Sequence, residues 1–134
     1  MSSGVIVDPS CLEVFQMQKI RKKHRYILYN LSEDYQNVVL YKSSSADATY
    51  EEFLADIPDS ECMYATVDLP GPKGQSSKLI FIMYTPQAAS VKDRMVFASS
   101  KDGFVKKLEG VHGKLLQASE KSDLSFDSLV REYF

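Results

Sequence analysis

The stretch from Leu79 to Tyr84, Leu-Ile-Phe-Ile-Met-Tyr, has an apolar or aromatic side chain at every position. With Lys78 before it, the stretch has the length of a β-strand and is far shorter than the roughly 20 residues that span a bilayer. Successive side chains of a strand point to opposite faces of a sheet, so both faces are apolar here. A sheet that contains this strand must therefore be covered on both sides.

The remaining periodicity predicts the covering layers. Asp8-Pro9 has the form of a helix start, and residues 49–52 (Thr-Tyr-Glu-Glu) have that of a capping box. We predict helices that begin at Pro9 and Tyr50, a long helix over 90–110, a short one over 126–133, and strands at 26–31, 38–41, 62–69, 78–84 and 113–118. The order α β β α β β α β α predicts an α/β fold of the α+β type. Its central mixed sheet has about five strands and is sandwiched between helices on both faces.

The long predicted helix over 90–110 is amphipathic and has an unusual interior. Val91, Met95 and Ala98 share helical spacing, and a second apolar set follows further along. Between the two sets, residues 99–102 (Ser-Ser-Lys-Asp) have the Ser-x-x-Asp form of a helix start. The outer face is basic and carries Lys92, Arg94, Lys101, Lys106 and Lys107. This pattern alone fits a surface helix with solubilising lysines as well as it fits a helix that binds a partner.

Charge is segregated along the chain, although the net charge is only −2. Every charged residue between 46 and 69 is acidic, whereas basic residues dominate 19–25 and 92–107. Segregation predicts a positive surface separate from a negative one, which bears on partners rather than on fold. The run 19–25 fits a hydrated helix C-terminus, an anionic-lipid patch or a nucleic-acid patch. The sequence pI of about 5.7 argues against nucleic acid.

No catalytic or nucleotide-binding motif is present: there is no Walker loop, no Gly-x-Gly-x-x-Gly after a strand, no His-Glu-x-x-His and no Gly-x-Ser-x-Gly. The two cysteines, Cys11 and Cys62, and the two histidines, His24 and His112, lack the spacing of zinc ligands. A small cysteine hydrolase is formally possible. However, Cys11 lies on an apolar helical stripe and Cys62 begins a strand, which favours two reduced thiols in the core. We therefore predict a protein that is not an enzyme and holds no metal or cofactor.

Four longer segments make the pattern specific. They are 3–7 (Ser-Gly-Val-Ile-Val), 50–54 (Tyr-Glu-Glu-Phe-Leu), 58–65 (Pro-Asp-Ser-Glu-Cys-Met-Tyr-Ala) and 91–102 (Val-Lys-Asp-Arg-Met-Val-Phe-Ala-Ser-Ser-Lys-Asp). In the same order, they resemble the start, second helix, third strand and most distinctive segment of the actin-depolymerising factor/cofilin family. The resemblance covers essentially the whole chain and implies a single actin-depolymerising-factor homology domain over residues 1–134. It implies a protein that binds actin monomers and, more weakly, filaments, and that promotes filament disassembly and turnover.

The resemblance also implies a role for the serines inside the long helix. In the family this stretch is a helix, kinked at the serines, that inserts into the cleft between two lobes of actin. The hydroxyls of Ser99 and Ser100 can compete for backbone groups, which bends a helix without ending it. We therefore expect a kinked helix over 90–109. Because actin is strongly acidic, Lys92 and Arg94 are expected to speed the encounter.

Carried over position by position, the family's contact residues fall on two surfaces. The implied monomer-binding surface consists of Ser3, Gly4, Lys92, Arg94 and Met95, with help from Lys19 to Lys22. The implied filament-binding surface consists of Lys78, Arg131 and Glu132. Ser3 also matches a position that many family members use as a phosphorylation switch.

The filament-binding surface departs from the family pattern. Ser76 stands where a second basic residue is usual, the loop with Pro70 and Pro72 is short, and no tail follows Phe134. In addition, Arg131-Glu132 reverses the usual acidic-basic order, and Tyr84 stands where a tryptophan is frequent. These departures predict that monomers are bound more firmly than filaments.

Anionic phosphoinositide lipids are the alternative partner that the resemblance implies. The same basic surface would bind them, with Lys19, Arg21, Lys22, Lys92 and Arg94 as candidates. The first ten residues lack the basic start and long apolar segment of a secretory signal, so we expect a cytoplasmic, cytoskeleton-associated protein. The nucleus is a second expected location, and the protein is expected to be a monomer.

Overall fold

The computed structural model describes residues 5–134, and all nine predicted elements are present in the predicted order. A two-residue strand at the N-terminal end and a 3₁₀ turn, Lys121–Leu124, are additional. The strands are β1 (Ile6–Val7), β2 (Tyr26–Leu31), β3 (Asn37–Ser43), β4 (Met63–Leu69), β5 (Lys78–Tyr84) and β6 (Leu116–Ala118). The helices are α1 (Pro9–Arg21), α2 (Tyr50–Asp56), α3 (Val91–Val105) and α4 (Phe126–Tyr133). Among residues 5–134, no helix combines the length and apolarity that crossing a bilayer needs.

The strands form one mixed sheet in the order β1-β3-β2-β4-β5-β6. The central pairs are antiparallel, and the two edge pairs, β1 with β3 and β5 with β6, are parallel. The mixed sheet was predicted, but with about five strands. The described residues form six because β1 pairs through only Ile6 and Val7, too few residues for alternation to reveal a strand. The last strand is also shorter than the predicted 113–118.

Helices cover both faces of the sheet, as the apolar strand requires. On one face, Ile80 and Ile82 of β5 share a core with residues of α2 and α4. On the other face, Phe81 and Met83 share a core with residues of α1 and α3. The prediction of a two-sided sheet is therefore confirmed.

Side-chain caps fix where the helices begin. Thr49 and Glu52 form the predicted capping box at α2, with each side chain accepting from the other's backbone N–H. The Ser90 hydroxyl caps α3 by accepting from the backbone N–H of Asp93 at 3.1 Å. These caps fix the first residues of α2 and α3, and the cap at α2 confirms the capping box that the sequence predicts.

The helix over 90–110 differs from its prediction in length. It runs without interruption from Val91 to Val105, so residues 99–102 do not start a helix. The Ser99 hydroxyl donates instead to the Val96 carbonyl at 3.1 Å, the kind of contact that bends helices. The helix ends before 109 because the chain tightens there: the Leu108 N–H donates to the Val105 carbonyl at 2.9 Å. That turn places Leu108 in the core.

A buried polar network joins α1 to the centre of the sheet. Gln18 and Thr66 are both fully buried. The Gln18 amide donates to the Thr66 carbonyl at 2.9 Å, and the Thr66 hydroxyl donates to Gln18 Oε1 at 2.8 Å. Since that hydroxyl has a single proton, the Tyr29 hydroxyl donates to Thr66 Oγ1, at 2.8 Å. Each of these buried polar groups depends on the others for its hydrogen bonds, because water cannot reach the site to replace a lost partner.

Replacing Thr66 with Val should therefore lower the free energy of unfolding by at least about 2 kcal/mol, because it leaves two buried polar groups without partners. Urea unfolding followed by circular dichroism measures the change. Thr66→Ser keeps the hydroxyl and is the matched control, with a smaller loss expected. Equal stability of Thr66→Val and the parent would show that the network does not stabilise the fold.

Candidate functional site

The outward face of α3 carries large apolar side chains that no other part of residues 5–134 covers. Val91 is 63% exposed and Met95 is 67% exposed, and the two are one helical turn apart. The helix packs on the sheet through other residues, chiefly Phe97 and Phe104. The helical spacing of Val91, Met95 and Ala98 would usually indicate a core-facing stripe, and that interpretation is wrong here, since all three are exposed.

Two cations flank this apolar stripe. At 100° per residue, Lys92 and Arg94 lie on opposite sides of Met95 along the helix surface. Lys92 is exposed, with Nζ 5.3 Å from the centre of the Tyr35 ring. Arg94 is half-buried and donates through Nε to the Ala89 carbonyl at 3.3 Å. The structure thus brings together three of the predicted monomer-binding residues on the first two turns of α3.

The other two predicted monomer-binding residues, Ser3 and Gly4, lie outside the described residues. The first described residue, Val5, packs against the last turn of α3: a Cβ added at Gly103 would lie 3.4 Å from Val5 Cγ1. The chain therefore enters the described region beside the C-terminal end of α3, about 12 Å along the helix axis from Met95.

Sequence reasoning missed Tyr35, which belongs to the turn between β2 and β3. Its hydroxyl donates to the carboxylate of Asp93 in the first turn of α3, and this hydrogen bond raises the pKa of Tyr35. Its ring lies beneath Lys92. The one sequence signal for Tyr35 is that it is an aromatic residue within a polar turn. Its contacts with Lys92 and Asp93 join residues far apart in the sequence, and such contacts leave no local pattern.

The basic run lies at the other end of α3. Lys19 donates through Nζ to the Glu109 carbonyl at 2.8 Å, and Lys22 pairs with Asp68 at 3.6 Å. Glu109 follows the end of α3, whereas Lys92 is in its first turn, roughly 20 Å away at 1.5 Å per residue. The five predicted lipid contacts, Lys19, Arg21, Lys22, Lys92 and Arg94, therefore do not form one patch. For the same reason, residues 19–22 are remote from the monomer-binding residues of α3.

The three predicted filament-binding residues lie together where α4 ends. Lys78 donates through Nζ to the Tyr133 carbonyl at 2.6 Å, and this ammonium is 4.8 Å from the centre of the Phe134 ring. Glu132 pairs with Lys114 at 2.7 Å, and Arg131 is exposed. Because α4 and α3 cover opposite faces of the sheet, this cluster is well separated from Met95.

Residues 4–133 match the family model described as cofilin/tropomyosin-type actin-binding protein. The chain belongs to the cofilin/actin-depolymerising factor family. Cofilin of Cryptococcus neoformans is 42% identical over 136 residues, which cover 98% of this chain and 97% of that protein. Actin-depolymerizing factor 7 of Arabidopsis thaliana is 37% identical, with coverage of 94% and 92%. The crystal structure of Streptomyces griseoflavus cofilin has a TM-score of 0.88 at 32% identity, covering 96% of each chain.

The loop between β4 and β5 of this cofilin-family chain is tightly folded. The Gln75 N–H donates to the Pro72 carbonyl at 3.0 Å, and Gly74 has a φ of +81°. A Cβ at Gly71 would lie 2.4 Å from the Gln75 carbonyl oxygen, so only glycine fits there. This compact turn leaves Ser76 exposed beside Lys78.

The two cysteines of this cofilin-family chain are buried and unpaired. Burial, with Asp8 nearby, raises the pKa of Cys11 to about 12, and burial, with Asp93 nearby, raises that of Cys62 to about 11. A thiol with such a pKa holds almost no nucleophilic thiolate at neutral pH. In residues 5–134, no group of three or more His, Cys, Asp and Glu side chains is arranged to hold a metal ion. The environment of the thiols favours packing over catalysis.

We expect neither thiol to react with a maleimide in the folded protein at neutral pH, because both are buried and protonated. Labelling followed by mass spectrometry measures this, with the urea-unfolded protein as the control that must react at Cys11 and Cys62. Rapid labelling of Cys62 under native conditions would contradict the raised pKa and revive the cysteine-hydrolase hypothesis.

Proposed function

We propose that this chain binds actin monomers through the outward face of α3 and the adjoining N-terminal segment, and thereby promotes filament disassembly and turnover. The main support for this proposal is that Val91 and Met95 are exposed, with the cations of Lys92 and Arg94 on either side of Met95. Membership of the cofilin/actin-depolymerising factor family supports actin as the partner, as do the names of relatives over nearly the whole chain.

The composition of this face suits an interface that excludes water. Covering an exposed side chain such as that of Val91 or Met95 contributes roughly 1.5–3 kcal/mol. Methionine adapts its shape to a partner, and arginine is enriched at interface centres. Lys92 and Arg94 add long-range attraction for an acidic partner such as actin, which mainly raises the association rate.

We further propose that residues 1–134 act as one monomeric domain at the actin cytoskeleton. The N-terminal segment is included because Val5 packs on α3 beside Gly103. Phosphorylation of Ser3 stays a prediction: a phosphate would add about −1.5 to −2 charge to a chain that is proposed to bind an acidic partner, and repulsion would then weaken binding. A nuclear location also stays a prediction.

Filament binding is proposed to be the weaker activity, centred on Lys78, Arg131 and Glu132. Two of these charges already have partners within the chain, since Lys78 bonds to the end of α4 and Glu132 pairs with Lys114. Arg131 makes only a long contact to Ser128, at 3.5 Å. Of these three charged side chains, Arg131 is therefore the most available to a partner, and Ser76, two positions before Lys78, adds no charge.

The double variant Lys92→Ala/Arg94→Ala should weaken binding to actin monomers by about 2 kcal/mol or more, because charges near an interface centre carry much of its energy. Fluorescence titration with labelled monomers measures the affinity. Lys106→Ala/Lys107→Ala removes the same charge just beyond the other end of α3 and should have little effect. Equal losses in the two double variants would point to net charge rather than to the proposed surface.

Filament binding can be tested separately by sedimentation. The parent chain should stay largely in the supernatant when filaments are pelleted. Ser76→Arg should increase co-pelleting because it adds a cation two residues before Lys78, and one exposed charge pair contributes up to about 1 kcal/mol to binding. Ser60→Arg adds the same charge at the opposite end of the central strands and is the control. Strong, saturable pelleting of the parent would contradict the proposed weakness of this surface.

A further inference from the structure

Tyr35 has a backbone conformation that tyrosine rarely adopts. Its φ is +62°, in the left-handed region where a Cβ crowds the following carbonyl. Asparagine or glycine is the usual residue at such a position, and a bulky residue there is an outlier. Strained residues of this kind persist only where the surrounding contacts hold them, and they cluster at functional sites.

The turn that holds Tyr35 is itself well ordered by hydrogen bonds. The Ser32 carbonyl accepts from the Tyr35 N–H at 2.8 Å, and the Ser32 hydroxyl accepts from the Asn37 N–H at 3.0 Å. Asp34 accepts from the Ser32 hydroxyl at 2.6 Å and from the Gln36 N–H at 3.1 Å. All of these bonds are made by groups other than the Tyr35 side chain. The turn could therefore form with asparagine at 35, and its geometry does not require a tyrosine.

The tyrosine side chain is half-buried against the core that α1 and α3 share, and it makes two specific contacts with α3. Its hydroxyl donates to Asp93, which orients the ring, and the ring carries the ammonium of Lys92 at 5.3 Å from its centre. A lysine side chain in water samples many rotamers, and ordering it on binding costs free energy. A cation held over an aromatic face has lost part of that freedom beforehand.

We propose that Tyr35 is a positioning residue for the actin-monomer surface: it acts through Lys92, which it holds ready for the partner, while Asp93 orients its ring. This inference rests on the proposed function, since it assigns a role within the same surface. The protein thus keeps an unfavourable backbone conformation at residue 35 in exchange for a preorganised cation on α3.

The decisive variant is Tyr35→Asn, which suits the backbone but removes both contacts with α3. The loss of ring packing against the core opposes the relief of backbone strain, so we expect a thermal unfolding midpoint close to that of the parent, while the affinity for actin monomers falls about fivefold. A purely structural residue would not separate stability from binding in this way. Tyr35→Phe keeps the ring and loses only the bond to Asp93, so a smaller loss is expected. Tyr41→Asn, at an exposed tyrosine of β3, is the matched control and should bind like the parent.

A double-mutant cycle with Lys92→Ala tests whether Tyr35 influences monomer binding through Lys92. If Tyr35 acts through Lys92, Tyr35→Asn should no longer weaken monomer binding once Lys92 is alanine. A fivefold loss in both backgrounds would overturn the inference, as would equal affinities of Tyr35→Asn and the parent. A parent chain that binds no monomers would refute the proposed function and this inference together. A parent that binds while Tyr35→Asn binds equally well would refute the inference alone.

Discussion

The antiparallel pair β4 and β5, buried on both faces, is the constraint on which the rest of this structure depends. Alternate residues of β5 enter two different cores, so each side of the sheet must be covered, and two helices cover each side. Because α3 and α4 are thereby assigned to opposite faces, the surface around Met95 and the cluster around Lys78 cannot merge. The separation of two candidate binding surfaces thus follows from the burial of one strand pair.

The same burial makes α3 a firm support for its outward side chains. Phe97 and Phe104 pack against Tyr64, with ring centres 4.8 and 5.3 Å apart, and the Tyr64 hydroxyl donates to the Phe97 carbonyl at 2.5 Å. Aromatic contacts of this kind have defined geometry, which fixes the helix on the sheet. Exposed Met95 is therefore presented from a rigid element rather than from a loop, which limits the conformational entropy lost when a partner binds.

Several cations that seem available for a partner in the sequence serve the fold instead. Lys19 donates to the carbonyl of Glu109 beyond the end of α3, and Lys78 donates to the carbonyl of Tyr133 in the last turn of α4. The Tyr133 carbonyl is one of the last in its helix and lacks a partner within it, so the Lys78 ammonium satisfies it while complementing the helix dipole. The Lys19 bond instead ties α1 to the turn that follows α3. Lys19 and Lys78 also lie over aromatic rings, but within residues 5–134 the ammonium of Lys92 is in contact with an aromatic ring without also donating to a backbone carbonyl.

The sequence by itself determined the elements, their order and the two-sided sheet, because caps such as Thr49 and the alternation in β5 are local signals. It also placed Lys92, Arg94 and Met95 on one helix through the family's own segment. Tertiary structure alone decided that the Val91–Met95 stripe faces outward, since helical spacing groups residues on one side without saying what covers that side. It alone decided the role of Tyr35 as well. A left-handed φ and a contact with a helix 58 residues away arise from how the chain packs, and no local pattern encodes them.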